Sequence, residues 1–507
     1  LASAWSSAPA FQGLDSPNQM KQLFAAVSVD DVNRLARQLL EPKQAITAIL
    51  SPKPSGKPVA SKGFGGTEKF APKTTKPVKL PDWAQPLTQV PAVPKSTLDP
   101  VVQTLSNGIK LIIQPAKVSD VVAVYGSIHT RPSLQQPKGQ EGVAAVLGQL
   151  FGYGGGKLDR NAYQEALDKI AASESGGTSF SVVTPVAHFD RAVQLLALNQ
   201  LQPRMPKHAF TVVQAQTARA LAGKLQSPGY LFHRKIGESL LPKSDPSLRQ
   251  ATPDTVSKLT LKDVKQYYQS VFRPDETTIV VIGNINPKAA RKTLEKYFGQ
   301  WKAKGDKPNL NLPTIPNNKA STHWVPDHSA VQDTVALAQT MNITLTDEQH
   351  YALDLGNVLL GQGFYASRLY RDLRARNGLV YTVGSSLSLG DTRSTYSISY
   401  GCDPDKVAEA RSIVLRDLRD MQKNPVGKHD LNLAKALMVR QLPLGNASFS
   451  SIAGGWLYYS EHDLPLDQDA VVVRKVVKLS AKDVQQAFAK WLRPDDLIQV
   501  VKGPKPE

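Results

Sequence analysis

The sequence is poor in cysteine, in long apolar runs and in targeting signals. Its 507 residues include one cysteine, Cys402, which excludes an intrachain disulfide and a cysteine-based metal cluster. No apolar run reaches the roughly 18 residues that a membrane-spanning helix needs. The first residue is leucine, and no charged segment followed by an apolar segment comes after it. We therefore expect a chain without a signal peptide, such as a processed product.

Familiar nucleotide-binding and catalytic motifs are also missing. The Gly-Gly-Gly-Lys run at residues 154–157 lacks the spaced glycine and the Ser/Thr of a phosphate-binding loop, so we interpret it as a loop after a helix. There is no Gly-x-Ser-x-Gly elbow, and Cys402 lacks a local nucleophile signature. The nine histidines are scattered, and the run Glu461-His462-Asp463 is interpreted as a solvated loop. Nothing here predicts a self-contained active site.

Acidic residues are fewer than basic residues, and the formal net charge is +18. Residues 51–100 alone hold eight lysines and three acids, and the remaining excess is spread thinly, with no basic helix face. This distribution does not favour nucleic-acid binding. Acidic peptides or an acidic partner subunit explain the charge at least as well, and a basic peptide- or nucleic-acid-binding module stays open as an alternative.

An internal repeat is the strongest sign of organisation. Each copy has Ser or Thr, then Asp-Val, an amphipathic helix, a proline eleven residues after the Asp, and an apolar segment typical of a strand. The copies occupy residues 27–50, 259–282 and 479–502. We predict that the hydroxyl caps the helix, that the Asp favours its dipole and that the proline ends it. These residues are Ser28, Thr260 and Ser480; Asp31, Asp263 and Asp483; and Pro42, Pro274 and Pro494.

The copies begin 232 and 220 residues apart, which indicates a module of roughly 200 residues that ends with this helix and strand. We predict modules at 101–305 and 306–507, a Pro/Lys-rich linker at 55–100, and the C-terminal tail of a truncated upstream module at 1–54. The first copy begins only 27 residues into the chain. We therefore expect the body of its module to have been removed or to lie on another polypeptide.

Strand and helix patterns occur in clusters within these modules rather than in strict alternation. Strands are predicted at 110–114, 121–127, 179–184 and 278–282, with helices at 142–151, 160–172, 189–200 and 206–225. The pattern favours an α+β fold: two homologous modules, each with a mixed or antiparallel sheet packed with helices.

Residues 373–381 predict a sharp corner. Residues 366–376 are rich in Leu, Arg and Ala and read as a helix, whereas residues 379–383 read as a strand. Asn377-Gly378 between them is a strong turn signal, because both residue types tolerate a positive φ. Such a corner can direct Arg374 at the end of the helix and Tyr381 at the start of the strand toward a common point.

Several of these strings resemble the pitrilysin/insulinase zinc peptidases, which include the mitochondrial processing peptidases. Residues 104–111 resemble the strand that opens a module in this family, and the repeats resemble its domain ends. The most specific resemblance runs from residues 359–363 through 367–369 and on to Tyr381. It implies four related α+β domains that form two halves around a chamber, of which this chain supplies the second half.

The resemblance also implies that this chain lacks the zinc site of the family. The family's first domain binds zinc through an inverted His-x-x-Glu-His helix and a downstream Glu. Here the corresponding helix, at 142–150, has Ala145, Gly148 and Gln149 at the motif positions. No Glu lies between Glu174 and Glu238, and Asp190 is the only acid in that interval. We expect this chain to bind no catalytic zinc, which a partner half supplies.

In the family's last domain an Arg and a Tyr seven residues later contact the substrate and the developing oxyanion, and Arg374 and Tyr381 match them in identity and spacing. Gly361 and Gly363 are the further substrate-binding candidates. The resemblance thus implies the non-zinc half of a peptide-degrading metallopeptidase, partnered by a zinc-bearing N-terminal half and inactive alone. The alternative is a catalytically inert scaffold of the same superfamily. A periplasmic or secreted location is expected, with mitochondrial and cytoplasmic locations as alternatives.

Overall fold

The computed structural model describes residues 2–48 and 81–504. Residues 1–58 and 59–507 form two compact units. Most of the predicted linker, 55–80, lies outside the described residues, and Asp82–Thr88 is a 3₁₀ helix. No helix of the described residues is long and apolar enough to cross a membrane.

The first unit contains three helices: α1 (Ala2–Phe11), α2 (Pro17–Ala26) and α3 (Val29–Leu39). The predicted cap of the first repeat is present, because Ser28 Oγ accepts the amide of Asp31 while the Asp31 carboxylate accepts the amide of Ser28. The apolar face of α3 is exposed. The strand predicted after this helix is absent from the described residues 45–48, where no other strand of the unit offers hydrogen bonds, and 49–50 lie outside the description.

The first sheet of the second unit has six strands in the order β1-β2-β6-β3-β5-β4. Only the pair β2 and β6 is parallel. The strands are β1 (Val101–Thr104), β2 (Lys110–Pro115), β3 (Val121–Ile128), β4 (Ser173–Ser175), β5 (Ser179–Pro185) and β6 (Thr277–Gly283). The associated helices are α4 (Pro132–Gln135), α5 (Val143–Leu150), α6 (Arg160–Asp168), α7 (Phe189–Leu201), α8 (Lys207–Lys224), α9 (Pro228–Leu240), α10 (Pro253–Ser257), α11 (Leu261–Val271) and α12 (Pro287–Phe298).

The second sheet repeats this topology with five strands in the order β7-β11-β8-β10-β9. Only β7 and β11 are parallel, as β2 and β6 are in the first sheet. The strands are β7 (Thr322–Pro326), β8 (Asp333–Met341), β9 (Val380–Ser388), β10 (Ser394–Cys402) and β11 (Ile498–Gly503). The associated helices are α13 (His350–Asn357), α14 (Val407–Lys423), α15 (Lys428–Gly445), α16 (Phe449–Glu461), α17 (Gln468–Val476) and α18 (Ala481–Trp491). The α+β class and the pairing of two homologous modules are confirmed.

The other two repeat copies fold as predicted. Thr260 and Ser480 form capping boxes with Asp263 and Asp483, three residues into α11 and α18. Pro274 and Pro494 begin short 3₁₀ turns, after which β6 and β11 follow. In both copies the apolar helix face is buried in the core of its module, unlike the face of α3.

The two modules exchange a helix. Strand β6 is apolar along its length because both of its faces are buried: Ile279 and Val281 face its own module's core, whereas Val280 and Ile282 pack with Trp456 of α16. Strand β11 behaves likewise, since Ile498 and Val500 pack in one cluster with Phe232 and Leu240 of α9. Each module therefore covers the outer sheet face of the other.

Candidate functional site

The predicted corner at 373–381 is present and brings Arg374 and Tyr381 together. Arg374 lies in a π-helix, Tyr370–Arg376, and Tyr381 is the second residue of β9. The turn closes through hydrogen bonds from the amide of Gly378 to the carbonyl of Arg374 (3.0 Å) and from the amide of Leu379 to that of Leu373 (2.8 Å). Gly378 has a φ of +59°, which explains the glycine of the Asn-Gly pair.

Aromatic rings hold the Arg374 guanidinium on two sides. Its Cζ lies 5.0 Å from the ring centre of Tyr381 and 5.3 Å from that of Tyr370, which is cation–π distance. The ring of Tyr381 is 63% exposed. A guanidinium carries five N–H donors and no acceptor, and here it lies beside a phenol that is also a donor. The corner can thus offer one cationic hydrogen-bond donor, Arg374, and one neutral donor, Tyr381, to the same oxygen atom.

A charge network fixes the π-helix beneath this corner. The buried carboxylate of Asp372 accepts hydrogen bonds from Arg376 at 3.0 Å, Arg416 at 2.7 Å and Arg371 at 3.2 Å. Arg374, in contrast, has no carboxylate within ion-pair distance anywhere in residues 2–48 and 81–504. The arginines around the corner are therefore neutralised, whereas Arg374 remains free to meet a ligand.

Gly361 and Gly363, the other predicted binding residues, lie where the chain packs closely. The π-helix Val358–Gln362 crosses β9, and a Cβ on Gly361 would lie 2.6 Å from the Ser385 amide nitrogen. A Cβ on Gly363 would lie 2.7 Å from the carbonyl oxygen of Val358. Gly361 is buried and Gly363 is partly exposed. Close packing explains both glycines, and their contact with substrate stays a prediction.

A buried asparagine that the sequence did not reveal ties this glycine segment to the sheet. Asn357 Oδ1 accepts hydrogen bonds from Ser385 Oγ at 2.6 Å and from the Tyr396 hydroxyl at 3.0 Å. Its amide group donates to Gln362 Oε1 at 3.1 Å. Burial raises the pKa of Tyr396, which keeps its hydroxyl a donor. No motif marks these residues, because an isolated Asn or Tyr in an apolar segment has no distinctive pattern.

The helix that the sequence resemblance matches to the zinc helix of the family is α5, and the residues at its motif positions do not fit a metal. Ala145 and Gly148 offer no ligand atom, and Gln149 donates its amide to Thr217 Oγ1 of α8 at 2.9 Å. Val143, Val146, Leu147 and Leu150 form the predicted core face. In the described part of the chain no three His, Cys, Asp or Glu side chains lie close enough to share a metal ion. At the position where the family has a metal ligand, this chain therefore has a glutamine that is hydrogen-bonded to a threonine.

The two acidic residues that follow α5 in the sequence, Glu174 and Asp190, lie on other elements and have different partners. Asp190 lies near the start of α7 and accepts hydrogen bonds from Tyr297 (2.7 Å) and Lys296 (3.2 Å). Glu174 lies on β4, and burial raises its pKa to about 7 although Asn199 donates to its carboxylate at 3.2 Å. Burial likewise raises the pKa of the Cys402 thiol to about 12, which makes it a poor nucleophile.

The prediction that residues 461–463 form a solvated loop is wrong for Glu461 and His462. Glu461 ends α16, and its carboxylate lies 3.4 Å from Nε2 of His129 in the first module. His462 Nδ1 lies 2.8 Å from the Asp391 carboxylate, and its side chain is largely buried. Only Asp463 is exposed. The exchanged position of α16, which short-range sequence patterns do not encode, brings these groups to the contact between the modules.

Comparisons with known proteins agree with the fold. Residues 258–438 match the family model described as the peptidase M16 inactive domain. The zinc protease YmxG of Bacillus subtilis, described as uncharacterized, is 22% identical over 361 residues, which cover 69% of this chain and 85% of that protein. A protein of Helicobacter pylori described as the non-peptidase homolog YmxG is 21% identical over 379 residues, 73% of this chain and 86% of its own length.

A solved structure relates the chain to a larger architecture. The crystal structure of the periplasmic protease PqqL from Escherichia coli shares the fold with a TM-score of 0.67 at 16% identity, over 97% of this chain and 56% of the PqqL chain. The resemblance stated from the motifs is thus confirmed. Residues 258–438 match the inactive domain of the M16 peptidases, and about 70% of the chain is similar to proteins described as a zinc protease and a non-peptidase homolog.

Proposed function

We propose that this chain is the non-zinc half of an M16 metallopeptidase and that it contributes Arg374 and Tyr381 to peptide hydrolysis in a chamber closed by a zinc-bearing N-terminal half. One observation carries the proposal: an arginine with no carboxylate partner among residues 2–48 and 81–504 lies at the same corner as an exposed tyrosine. The neighbouring arginines Arg371, Arg376 and Arg416, in contrast, all pair with Asp372.

In this proposal Arg374 and Tyr381 act on the carbonyl of the bond to be cleaved. The guanidinium edge and the phenol hydroxyl donate hydrogen bonds to the carbonyl oxygen, and these bonds strengthen as the oxygen becomes an oxyanion. The two rings around Arg374 and the Asp372 network hold the donors in place beforehand, so little reorganisation is needed. The residues of this chain orient the peptide and stabilise charge, and the remaining chemistry belongs to the partner half.

The exposed face of α3 supports a partner that carries a similar module. Val32 is 56% exposed, whereas its equivalent in the second repeat, Val264, is fully buried. An apolar face of this kind is buried in both complete modules by their own helices. A module of the same fold would cover it in the same way. The periplasmic protease PqqL, with nearly twice the matched length, supports a periplasmic or secreted location for such an assembly.

Substitution of Tyr381 tests the catalytic role. In the assembly with the zinc-bearing half, Tyr381→Phe should lower kcat on a quenched peptide by about 10²–10³, as loss of one oxyanion donor does, while KM changes only a few-fold. Tyr458→Phe, which removes the hydroxyl of another partly exposed tyrosine, is the matched control and should leave both constants unchanged. Unchanged turnover of the Tyr381 variant would show that the catalytic role is wrong.

The second candidate is an inert scaffold of the same superfamily. It is favoured by the Gln149–Thr217 hydrogen bond in place of metal ligands and by the relative described as a non-peptidase homolog. Cleavage by the zinc-bearing half, measured with and without this chain, separates the two candidates. A half that cleaves equally well alone identifies the scaffold, whereas cleavage that depends on this chain and on Tyr381 identifies the catalytic partner.

A further inference from the structure

Two large aromatic side chains are exposed beside Arg374. Phe364 and Tyr365 are 55% and 69% exposed, and their ring centres lie 4.2 Å apart in an edge-on arrangement. The partly buried ring of Tyr370 lies 4.8 Å from Tyr365 and 5.7 Å from Phe364, and 5.3 Å from the Arg374 guanidinium carbon. A folded chain gains little from two such rings in water, so they need another explanation.

The local backbone holds these rings outward at a cost. Phe364 has a φ of +49°, a left-handed conformation that is rare for a bulky residue. Ser367 secures it, because both its amide (3.0 Å) and its hydroxyl (2.7 Å) donate to the Phe364 carbonyl, and Ser367 is itself fully buried. A strained conformation that the surroundings maintain is a common property of ligand-binding segments.

The neighbouring groups specify the chemistry of a ligand. Arg374 offers its N–H edge to a carbonyl or carboxylate, as described above. Strand β9, which carries Tyr381, is the edge strand of its sheet, and no strand of the described residues pairs with its outer side. An edge strand presents unpaired backbone groups that an extended peptide can meet. Rings, cation and free edge together match a peptide in extended conformation with a bulky apolar side chain.

We infer that Phe364 and Tyr365 determine specificity: they bind the bulky apolar or aromatic side chain of an extended peptide whose backbone lies along β9 and whose carbonyl meets Arg374. The inference rests on the proposed function in that both use peptides as ligands. It goes further by assigning the side-chain preference to two residues outside the Arg374–Tyr381 pair, and it concerns binding rather than hydrolysis.

Peptide binding to the chain alone tests this inference without the zinc-bearing half. The probes are two fluorescein-labelled nonapeptides of Ser, Thr and Gly, one with a central Phe and the other with Ser in its place, measured by fluorescence anisotropy. The wild-type chain should bind the Phe peptide about tenfold more tightly than the Ser peptide, as one aromatic contact allows. The double variant Phe364→Ser/Tyr365→Ser should bind both peptides within about twofold of each other. Arg374→Gln should weaken both while keeping their ratio.

Trp83→Ser removes an aromatic side chain that is 76% exposed in another part of the chain, and it should keep the tenfold ratio. Because the substituted rings are exposed, the variants should unfold at the wild-type temperature, which thermal denaturation checks. Equal binding of the two peptides by the wild type, no binding of either, or an unchanged ratio in the double variant would each overturn the inference. Loss of turnover in Tyr381→Phe with no discrimination here would leave the proposed function intact and refute the inference alone.

Discussion

The environment of Glu174 predicts how the stability of the protein depends on pH. Its carboxyl lies on β4 among buried side chains, and burial raises its pKa from 4.5 to about 7, despite a hydrogen bond from Asn199 that acts in the opposite direction. In the unfolded chain the group has its ordinary pKa. Between pH 4.5 and 7 the folded protein therefore holds a proton that the unfolded chain has lost, and the stability falls as the pH rises.

The magnitude follows from the two pKa values. One proton changes the free energy of unfolding by about 1.4 kcal/mol per pH unit, so the fall over this interval is at most about 3.5 kcal/mol. Glu174→Gln has nearly the same shape and cannot ionise. The variant should match the wild type below pH 4.5, gain on it as the pH rises, and exceed it by a constant amount, up to about 3.5 kcal/mol, above pH 7.

Urea denaturation at intervals from pH 4 to 9, followed by tryptophan fluorescence, measures this difference. Glu165→Gln on the adjacent helix α6 removes an exposed carboxyl of the same type and is the matched control, with a curve parallel to that of the wild type. If the curves of Glu174→Gln and the wild type are also parallel across the whole range, Glu174 ionises freely and the argument from burial is refuted.

Two further predictions concern packing and assembly. Gly361→Ala should lower the free energy of unfolding by about 1–3 kcal/mol, because the new methyl group would collide with the backbone of Ser385. Gly148→Ala, which meets no atom within 4 Å on helix α5, should instead raise the stability by up to about 1 kcal/mol, and equal thermal shifts would contradict this reasoning. Val32→Ser should leave the thermal midpoint of the isolated chain unchanged but weaken binding to the zinc-bearing half in a titration, whereas Val264→Ser should destabilise the chain by about 2 kcal/mol. A Val32 variant that assembles normally would show that α3 does not face the partner.

Local features of the sequence were sufficient for the corner at Arg374. Asn377-Gly378 marks a turn by its backbone preferences alone, and the spacing of apolar residues distinguishes the helix before it from the strand after it. The capping boxes of the repeat were predictable for the same reason, since a Ser or Thr and an Asp three residues later act within one turn. Each of these signals depends on neighbours along the chain.

The features that sequence reasoning missed depend on distant residues. The two π-helices around Arg374 arise where the chain must fit against β9, and their composition is that of ordinary α-helices. Thr217 meets Gln149 only because α5 and α8 pack together, and Asn357 becomes a hub only beside β9 and β10. The strand predicted at the end of the first repeat needs a sheet, which residues 2–48 do not provide.

The exchanged helices α9 and α16 affect whether the chain can be cut into fragments that fold separately. A cut at the junction near 305 would remove Trp456 from β6 and Phe232 from β11, and it would uncover the outer face of both sheets at once. Such fragments would present broad apolar surfaces and aggregate rather than fold as independent domains. We therefore expect the two modules to fold and unfold as one cooperative unit, although the sequence shows them as two repeats.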